Sequence, residues 1–189
     1  YDLPKPFFVL ATQNPVEQAG TYRLPEAQLD RFLMFVRVGY PSREEEMAIL
    51  LRTTGSEPAE LDTILKAEDI IQLQQLVRTV AVSAELLSYI TDLVRATRPD
   101  QNRDDHKVKT YVRWGAGPRA GQALVLCAKA KALLDGRYAM TLGDIKAVTA
   151  AVLRHRILLN FQAEADNVST DDVVASLLDS VALPKSPIA

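Results

Sequence analysis

Residues 7–15 of this chain read FFVLATQNP, and this stretch decides which fold class the sequence predicts. Its first five residues are continuously apolar, which is typical of a strand buried on both faces of a parallel sheet. A second apolar run, FLMFVRV, covers residues 32–38. The segment between them is long enough for the crossover that joins parallel strands. Two strands alone do not form a stable sheet, so we expect the sequence to be the C-terminal part of a longer protein.

The sequence becomes helical in pattern after residue 41. Ser42 and Glu45 form a capping box, in which the serine oxygen accepts from a backbone N–H and the glutamate reaches back. Further helix starts are predicted at Ser83, Pro118, Thr141 and Ser169. The predicted fold class is therefore mainly α. A remnant of an α/β core, with two strands and a short helix, covers residues 1–40, and a helical bundle covers residues 41–189.

Composition excludes several classes of function. The 22 Lys and Arg residues against 24 Asp and Glu residues give a net charge of −2, which argues against a nucleic-acid-binding protein. The single cysteine, Cys127, excludes an internal disulfide and a cysteine-based zinc site, and it points to a reducing, cytoplasmic location. With only His106 and His155 as histidines, we expect no metal centre. No apolar run approaches the roughly 20 residues that span a bilayer, so no membrane insertion is expected.

The motifs of a self-contained enzyme are missing from the sequence. Its eight glycines form no G-x-x-x-x-G-K-S/T phosphate-binding loop. The sequence also contains no G-x-S-x-G nucleophile elbow, no H-E-x-x-H metal motif and no C-x-x-C pair. Any chemistry must therefore depend on isolated polar residues that complete a site formed elsewhere.

Asn14 is the first such residue, because it follows the first predicted strand. Ligands of open α/β sheets bind outside the carboxyl ends of the strands, where an asparagine amide can orient a water molecule or contact a phosphate. The alternative is that Asn14 and Pro15 form a turn that only ends the strand.

Arg31 is the second such residue. Residues 24–32 are predicted to contain a short helix, and Arg31 lies at the end of this segment, just before the second apolar run. A guanidinium at such an edge suits phosphate recognition, because its planar fork is always charged. The alternative is an ordinary ion pair with Glu26 or Asp30, worth less than about 1 kcal/mol when exposed.

Arg119 is the third, and the preceding Pro118 places it in the first turn of a predicted helix. A cation there is unfavourable by about 0.3–1 kcal/mol, because the helix dipole is positive at that end. A helix N-terminus with an arginine can bind an anion, so a phosphate would offset this cost. The alternative is that Arg119 simply extends into solvent.

Taken in order, six segments resemble the second half of a MoxR-type AAA+ ATPase. They are FFVLATQNP (7–15), EQAGTY (17–22), LPEAQLDRF (24–32), VGYPSREEE (38–46), GAGPRA (115–120) and VLRHR (152–156). The resemblance implies that residues 1–40 are the end of the AAA+ core and that residues 41–189 are its α-helical lid. By position, Asn14 matches sensor 1, Arg31 the arginine finger and Arg119 the sensor 2 arginine, which acts on its own or on another subunit's nucleotide.

The resemblance also implies the activity of the longer protein. Such a protein binds ATP and Mg²⁺, forms a ring, expected to be a hexamer, and couples ATP hydrolysis to remodelling or maturation of clients such as von Willebrand factor A-domain proteins. Because the Walker A and Walker B residues are absent here, we expect this chain alone neither to bind ATP tightly nor to hydrolyse it.

Two other functions remain open at this point. One is a magnesium-chelatase-like AAA+ motor subunit, and the other is a non-enzymatic helical interaction module in which Asn14 and Arg31 are only structural. The polar stretch over residues 99–109 is predicted to be a solvated loop, and the resemblance assigns it no role.

Overall fold

The structure is a computed structural model that describes residues 2–13, 24–55, 62–101 and 105–184. Its helices and strands are α1 (Glu26–Leu29), α2 (Arg43–Thr53), α3 (Ala67–Thr79), α4 (Ala84–Ala96), α5 (His106–Tyr111), β1 (Val112–Trp114), α6 (Pro118–Leu134), α7 (Leu142–Leu153), β2 (Leu158–Leu159), α8 (Phe161–Ala165) and α9 (Thr170–Ser180). The predicted mainly helical fold is confirmed. Among the described residues, no helix is both long and apolar enough to cross a bilayer.

The core lies between four helices of the bundle. α6 runs along α7, α4 packs against α6, and α9 packs against α7. The side chains at the centre are completely buried, among them Leu93, Leu124, Ile145, Leu153 and Leu177. Apolar residues recur along one side of α4 at helical spacing, so that helix buries one face and exposes the other to solvent. The bundle is therefore held mainly by apolar burial.

The predicted helix ends are confirmed where capping residues mark them. Ser42 and Glu45 form the reciprocal capping box at the start of α2. Side-chain caps likewise begin α4, α7 and α9, at Ser83, Thr141 and Ser169. Gly136 follows α6 with φ of 74°, a left-handed conformation that glycine adopts without steric cost. Local sequence thus determines where these helices begin and end.

The positions of the strands differ from the prediction. Residues 7–11 and 32–38 form no strand in the structure, and the side chains of Phe8 and Leu10 are 78% and 84% exposed. A strand requires a neighbouring strand for its hydrogen bonds, and neither segment has one within the described residues. The two strands that do form, β1 and β2, pair antiparallel within the bundle, with Val112 opposite Leu159.

The predicted loop over residues 99–109 is wrong at its C-terminal end, where α5 begins. Asp105 caps this helix by accepting from the backbone N–H of Val108 at 3.1 Å. The same carboxylate also accepts from the hydroxyls of Ser176 and Ser180 on α9, at 2.9 and 3.1 Å. Asp105, which the sequence places in a solvated loop, therefore connects α5 with α9. Its partners lie more than seventy positions away, so the local sequence did not indicate them.

Candidate functional site

Residues 30–37 lie against the end of α7, where Arg154, His155 and Arg156 follow one another. All three side chains bond to this segment. The backbone N–H of Phe35 completes the contact by donating to the carbonyl of Ala151 at 2.8 Å. The segment that contains Arg31 is thereby attached to the helical bundle.

Arg156 is the central side chain of this contact and is almost fully buried, with 3% of its side chain exposed. Its guanidinium donates five hydrogen bonds, so every N–H has a partner. The acceptors are the Asp30 carboxylate (3.1 Å) and the carbonyls of Asp30 (3.1 Å), Phe32 (2.6 Å), Leu33 (3.2 Å) and Val152 (2.5 Å). Burial lowers the pKa of Arg156, and the bond to Asp30 opposes that shift.

Arg154 forms a second link beside it. Its Nη1 donates to the carbonyl of Phe35 at 3.0 Å, while Nε and Nη2 donate to Asp171 at 3.0 and 3.2 Å. Asp171 also accepts from Arg37 at 3.0 Å, so this carboxylate lies between two arginines. The link anchors the far end of the segment to the N-terminus of α9.

His155 lies between the two arginines and bonds through Nε2 to the carbonyl of Phe32 at 3.1 Å. Because a carbonyl only accepts, Nε2 carries the proton in this bond. The ring stacks on Phe35, with 6.2 Å between ring centroids. Burial and the positive charge of Arg156 lower the pKa of His155, which favours the neutral imidazole.

Arg31 lies near the N-terminal end of the attached segment, and its side chain takes no part in these contacts. Its side chain is exposed, and it has no hydrogen-bond or ion-pair partner in the part of the chain that the structure describes. The ion pair with Glu26 or Asp30 that the sequence left open is not formed, and the Asp30 carboxylate instead pairs with Arg156 and Arg119. Arg31 borders an open depression with Val9 and other neighbours.

Arg119 lies in the first turn of α6, as predicted, and its Nη1 is 3.4 Å from Asp30 Oδ2. The turn before α6 is tightly fixed, because the backbone N–H of Ala116 donates to Thr97 Oγ1 at 2.8 Å. Asp30 thus receives one arginine from α6 and one from the end of α7. The carboxylate next to Arg31 is a contact point between this segment and both helices.

A cavity of about 460 Å³ lies between α1 and the turn before α6. Its lining includes Glu26, Asp30, Trp114, Gly117 and Arg156. Arg31 does not line it. The structure therefore brings Arg119 to Asp30 beside this cavity, but it places the Arg31 side chain at a different depression.

Asn14 lies outside the described residues. Within the described ranges, no three His, Cys, Asp or Glu side chains are grouped as metal ligands would be.

Asp30 and Arg156 are the site residues that sequence reasoning missed. Arg156 stands just past an apolar helix, where a cation is favoured by the negative end of the helix dipole. That signal predicts a capping or solvated side chain and does not indicate a buried one. The sequence suggests Asp30 only as a partner for its neighbour Arg31, whereas its side-chain partners Arg119 and Arg156 are 89 and 126 positions away along the chain.

Comparison with known proteins assigns the class. Residues 105–177 match the family "AAA lid domain", and residues 1–34 match "ATPase family associated with various cellular activities (AAA)". A crystal structure of a "putative ATPase" from Cytophaga hutchinsonii superposes with a TM-score of 0.91 at 38% identity, covering 98% of this chain and 56% of that one. The fold is that of a remnant of an AAA+ ATPase core with its helical lid, which confirms the predicted fold class.

Named relatives narrow the class to one family. "Chaperone MoxR1" from Mycobacterium tuberculosis is 41% identical over 185 residues, 98% of this chain and 49% of that protein. "Protein MoxR" from Paracoccus denitrificans is 33% identical over 167 residues, 80% of this chain and 48% of that protein. The chain belongs to the MoxR family of AAA+ ATPases, and it fits the C-terminal portion of such a protein. It spans about half the length of these relatives.

Proposed function

We propose that this chain takes part in ATP hydrolysis by a MoxR-type AAA+ ATPase and that Arg31 is its arginine finger. One observation supports this role above the others. The Arg31 side chain is exposed and has no polar partner among the described residues, whereas the carbonyls of Asp30 and Phe32 on either side of it are held by Arg156. A charged side chain on a fixed backbone is suited to entering the nucleotide site of a neighbouring subunit.

The chemistry of phosphoryl transfer explains why such an arginine matters. Catalysis depends on positioning and on stabilising the charge that spreads over the transferred phosphoryl group. An arginine supplied by a neighbouring subunit contributes about 10³–10⁵ in kcat in comparable systems. Because Arg31 forms no ion pair with Glu26 or Asp30, its guanidinium has no such contact to break before it reaches a phosphate.

Arg119 is proposed as the sensor 2 arginine. Its place in the first turn of α6 combines a guanidinium with the positive end of a helix dipole, which together favour an anion. The Asp30 carboxylate satisfies this arginine when no phosphate is bound. Asn14 is proposed as sensor 1 on the resemblance alone, since it lies outside the described residues.

The activity of the whole protein completes the proposal. It binds ATP with Mg²⁺, assembles into a ring, expected to be a hexamer, and uses hydrolysis to remodel clients such as von Willebrand factor A-domain proteins in the cytoplasm. One relative is named a chaperone, which supports a role in the remodelling of client proteins. The chain alone is proposed to be inactive, because its sequence contains no phosphate-binding loop.

The finger role is tested with Arg31→Ala in the whole protein. We expect ATP affinity to be retained and kcat to fall by about 10³-fold or more, the range that a trans arginine supplies. Arg95→Ala, which removes an exposed arginine from the far end of α4, is the matched control and should leave kcat unchanged. Full activity of Arg31→Ala would instead support the non-enzymatic interaction module.

A mixing experiment tests whether the arginine acts in trans. Arg31→Ala subunits are combined with subunits whose nucleotide-binding loop, contributed by the rest of the protein, is disabled. Each variant is expected to be inactive alone. The mixture should regain turnover, because the nucleotide site of an Arg31→Ala subunit can then lie next to a neighbouring subunit that retains Arg31. No recovery in mixed rings would contradict a role across the subunit interface.

A further inference from the structure

We propose that Arg156 is a positioning residue for Arg31: it holds the turn from which the finger projects. This inference rests on the proposed function of Arg31. Arg156 itself is buried and its five N–H groups all donate to protein oxygens, so we infer that it acts through the backbone and not on the phosphate.

The direction of its hydrogen bonds supports this role. Four of the five bonds from Arg156 go to residues 30–33, and one nitrogen, Nη2, donates to the carbonyls of both Asp30 and Phe32. These two residues flank Arg31 in sequence. The Arg156 guanidinium therefore restrains the backbone immediately before and after Arg31, and it forms no bond with the Arg31 side chain.

The backbone amides complete the restraint on both sides of the Arg31 Cα atom. The N–H of Arg31 donates to the carbonyl of Gln28 at 3.1 Å, and the N–H of Phe32 donates to the carbonyl of Leu29 at 3.0 Å. The peptide group before Arg31 is thus held at its N–H by α1 and at its oxygen by Arg156. The peptide group after it is held at its N–H by the end of α1.

A buried guanidinium is a costly way to attach two segments by contact alone. Its charge must be removed from water, and apolar side chains of similar volume often replace buried ion pairs without loss of stability. A planar fork provides directional bonds to several oxygens at once, which apolar packing cannot provide. The arrangement is therefore suited to fixing the geometry of residues 30–33.

Arg154 provides a matched control, because it attaches the same segment without touching the finger turn. It bonds to Phe35 and Asp171 and to no residue of 30–33. A lysine at either position keeps the positive charge but loses the fork. If the two arginines only attach the segment, the two lysine variants should behave alike.

The experiment compares Arg156→Lys, Arg154→Lys and Arg31→Ala in the whole protein. Four properties are measured for each variant: thermal unfolding, KM for ATP, kcat and trapping of ADP with aluminium fluoride. Aluminium fluoride mimics the transferred phosphoryl group. For Arg156→Lys we expect kcat to fall by at least about tenfold with KM little changed, since small misplacements of a catalytic group cost this much or more. Trapping of ADP with aluminium fluoride should also weaken. Arg154→Lys should retain both.

Several results would overturn the proposal. If Arg156→Lys keeps its kcat, or if both lysine variants lose kcat equally, Arg156 only attaches the segment. If Arg31→Ala keeps its kcat, the finger role itself fails, and that result is distinct from the first two. If Arg156→Lys does not fold, Asp30→Asn is compared with Asp171→Asn, because Asp30 is the side-chain acceptor of Arg156 and Asp171 that of the control Arg154. A loss of kcat for Asp30→Asn no greater than for Asp171→Asn overturns the proposal.

Discussion

Arg119 and Asp30 form an ion pair, with 3.4 Å between Nη1 and Oδ2, that connects the first turn of α6 to the residue just before Arg31. The Arg119 side chain is 57% exposed, so water and salt screen this pair. Asp30 also accepts from buried Arg156, which keeps the carboxylate in place when Arg119 leaves. A phosphate at the start of α6 can therefore compete for Arg119 at little cost to the fold.

Replacing Arg119 with alanine should separate stability from function. We expect the free energy of unfolding of the chain to change by less than about 1 kcal/mol, because an exposed ion pair contributes little. In the whole protein, ATP turnover should fall by about 10²-fold, as when one charge-stabilising donor is removed. Urea unfolding and steady-state ATP hydrolysis measure the two effects. A large loss of stability, or unchanged turnover, would contradict the proposed sensor role.

Gly115 is expected to be essential for the position of α6. A Cβ atom added there would lie 2.5 Å from the carbonyl oxygen of Thr97 and 2.8 Å from the Cα of Arg98, and neither backbone atom can rotate away. We predict that Gly115→Ala destabilises the chain by about 1–3 kcal/mol through overpacking. Gly39→Ala is the matched control, since its added Cβ would meet nothing within 4 Å. Similar urea midpoints for the two variants would show that the turn can relax.

The single cysteine gives a test of core packing. Burial raises the pKa of Cys127 to about 11, so little thiolate exists at pH 8. A thiol-specific reagent should therefore react with the folded chain about 100-fold or more slowly than with an unfolded one, because the thiolate is the reactive form. The sequence contains no other cysteine, so the signal comes from this side chain alone. Equal rates in buffer and in denaturant would mean that the α6 core opens readily.

Features with local causes could be predicted from the sequence. Ser42 and Glu45 predicted their helix start because a capping box involves residues three positions apart. Arg119 was placed in the first turn of its helix for the same kind of reason, from the proline before it. The structure leaves the side chain of Arg31 exposed, and its role as a site residue stays a prediction.

Features that depend on distant partners could not be predicted. Nothing near Arg156 in the sequence indicates that Asp30 and Phe32 lie against it, more than 120 positions away. Phe8 belongs to an apolar run with strong strand character, but the run forms no strand without a neighbour. The apolar pattern of a segment determines how readily it forms a strand, and the presence of a neighbouring strand determines whether it does so.

Asp144 should make the stability of the bundle depend on pH. Its carboxylate is almost fully buried and accepts two bonds from Arg137, at 2.7 and 2.5 Å, and two from Thr141, both at 2.8 Å. These bonds, led by those from Arg137, lower the pKa of Asp144 to about 2. The unfolded chain has no such contacts, so its carboxyl group binds a proton more readily than the folded one.

The sign of the effect follows from this difference. Because the folded pKa is depressed, the contribution of Asp144 is complete above the unfolded pKa of about 4 and is lost as pH falls from there through about 2. It amounts to about 2 kcal/mol. We predict that Asp144→Asn lowers stability at pH 7 and flattens the decline between pH 4 and 2, as measured by urea unfolding at each pH. Asp92→Asn, on the exposed side of α4, is the control and should leave the decline unchanged. An identical acid profile for Asp144→Asn and the unmodified chain would show that the Arg137 pair contributes nothing to acid sensitivity.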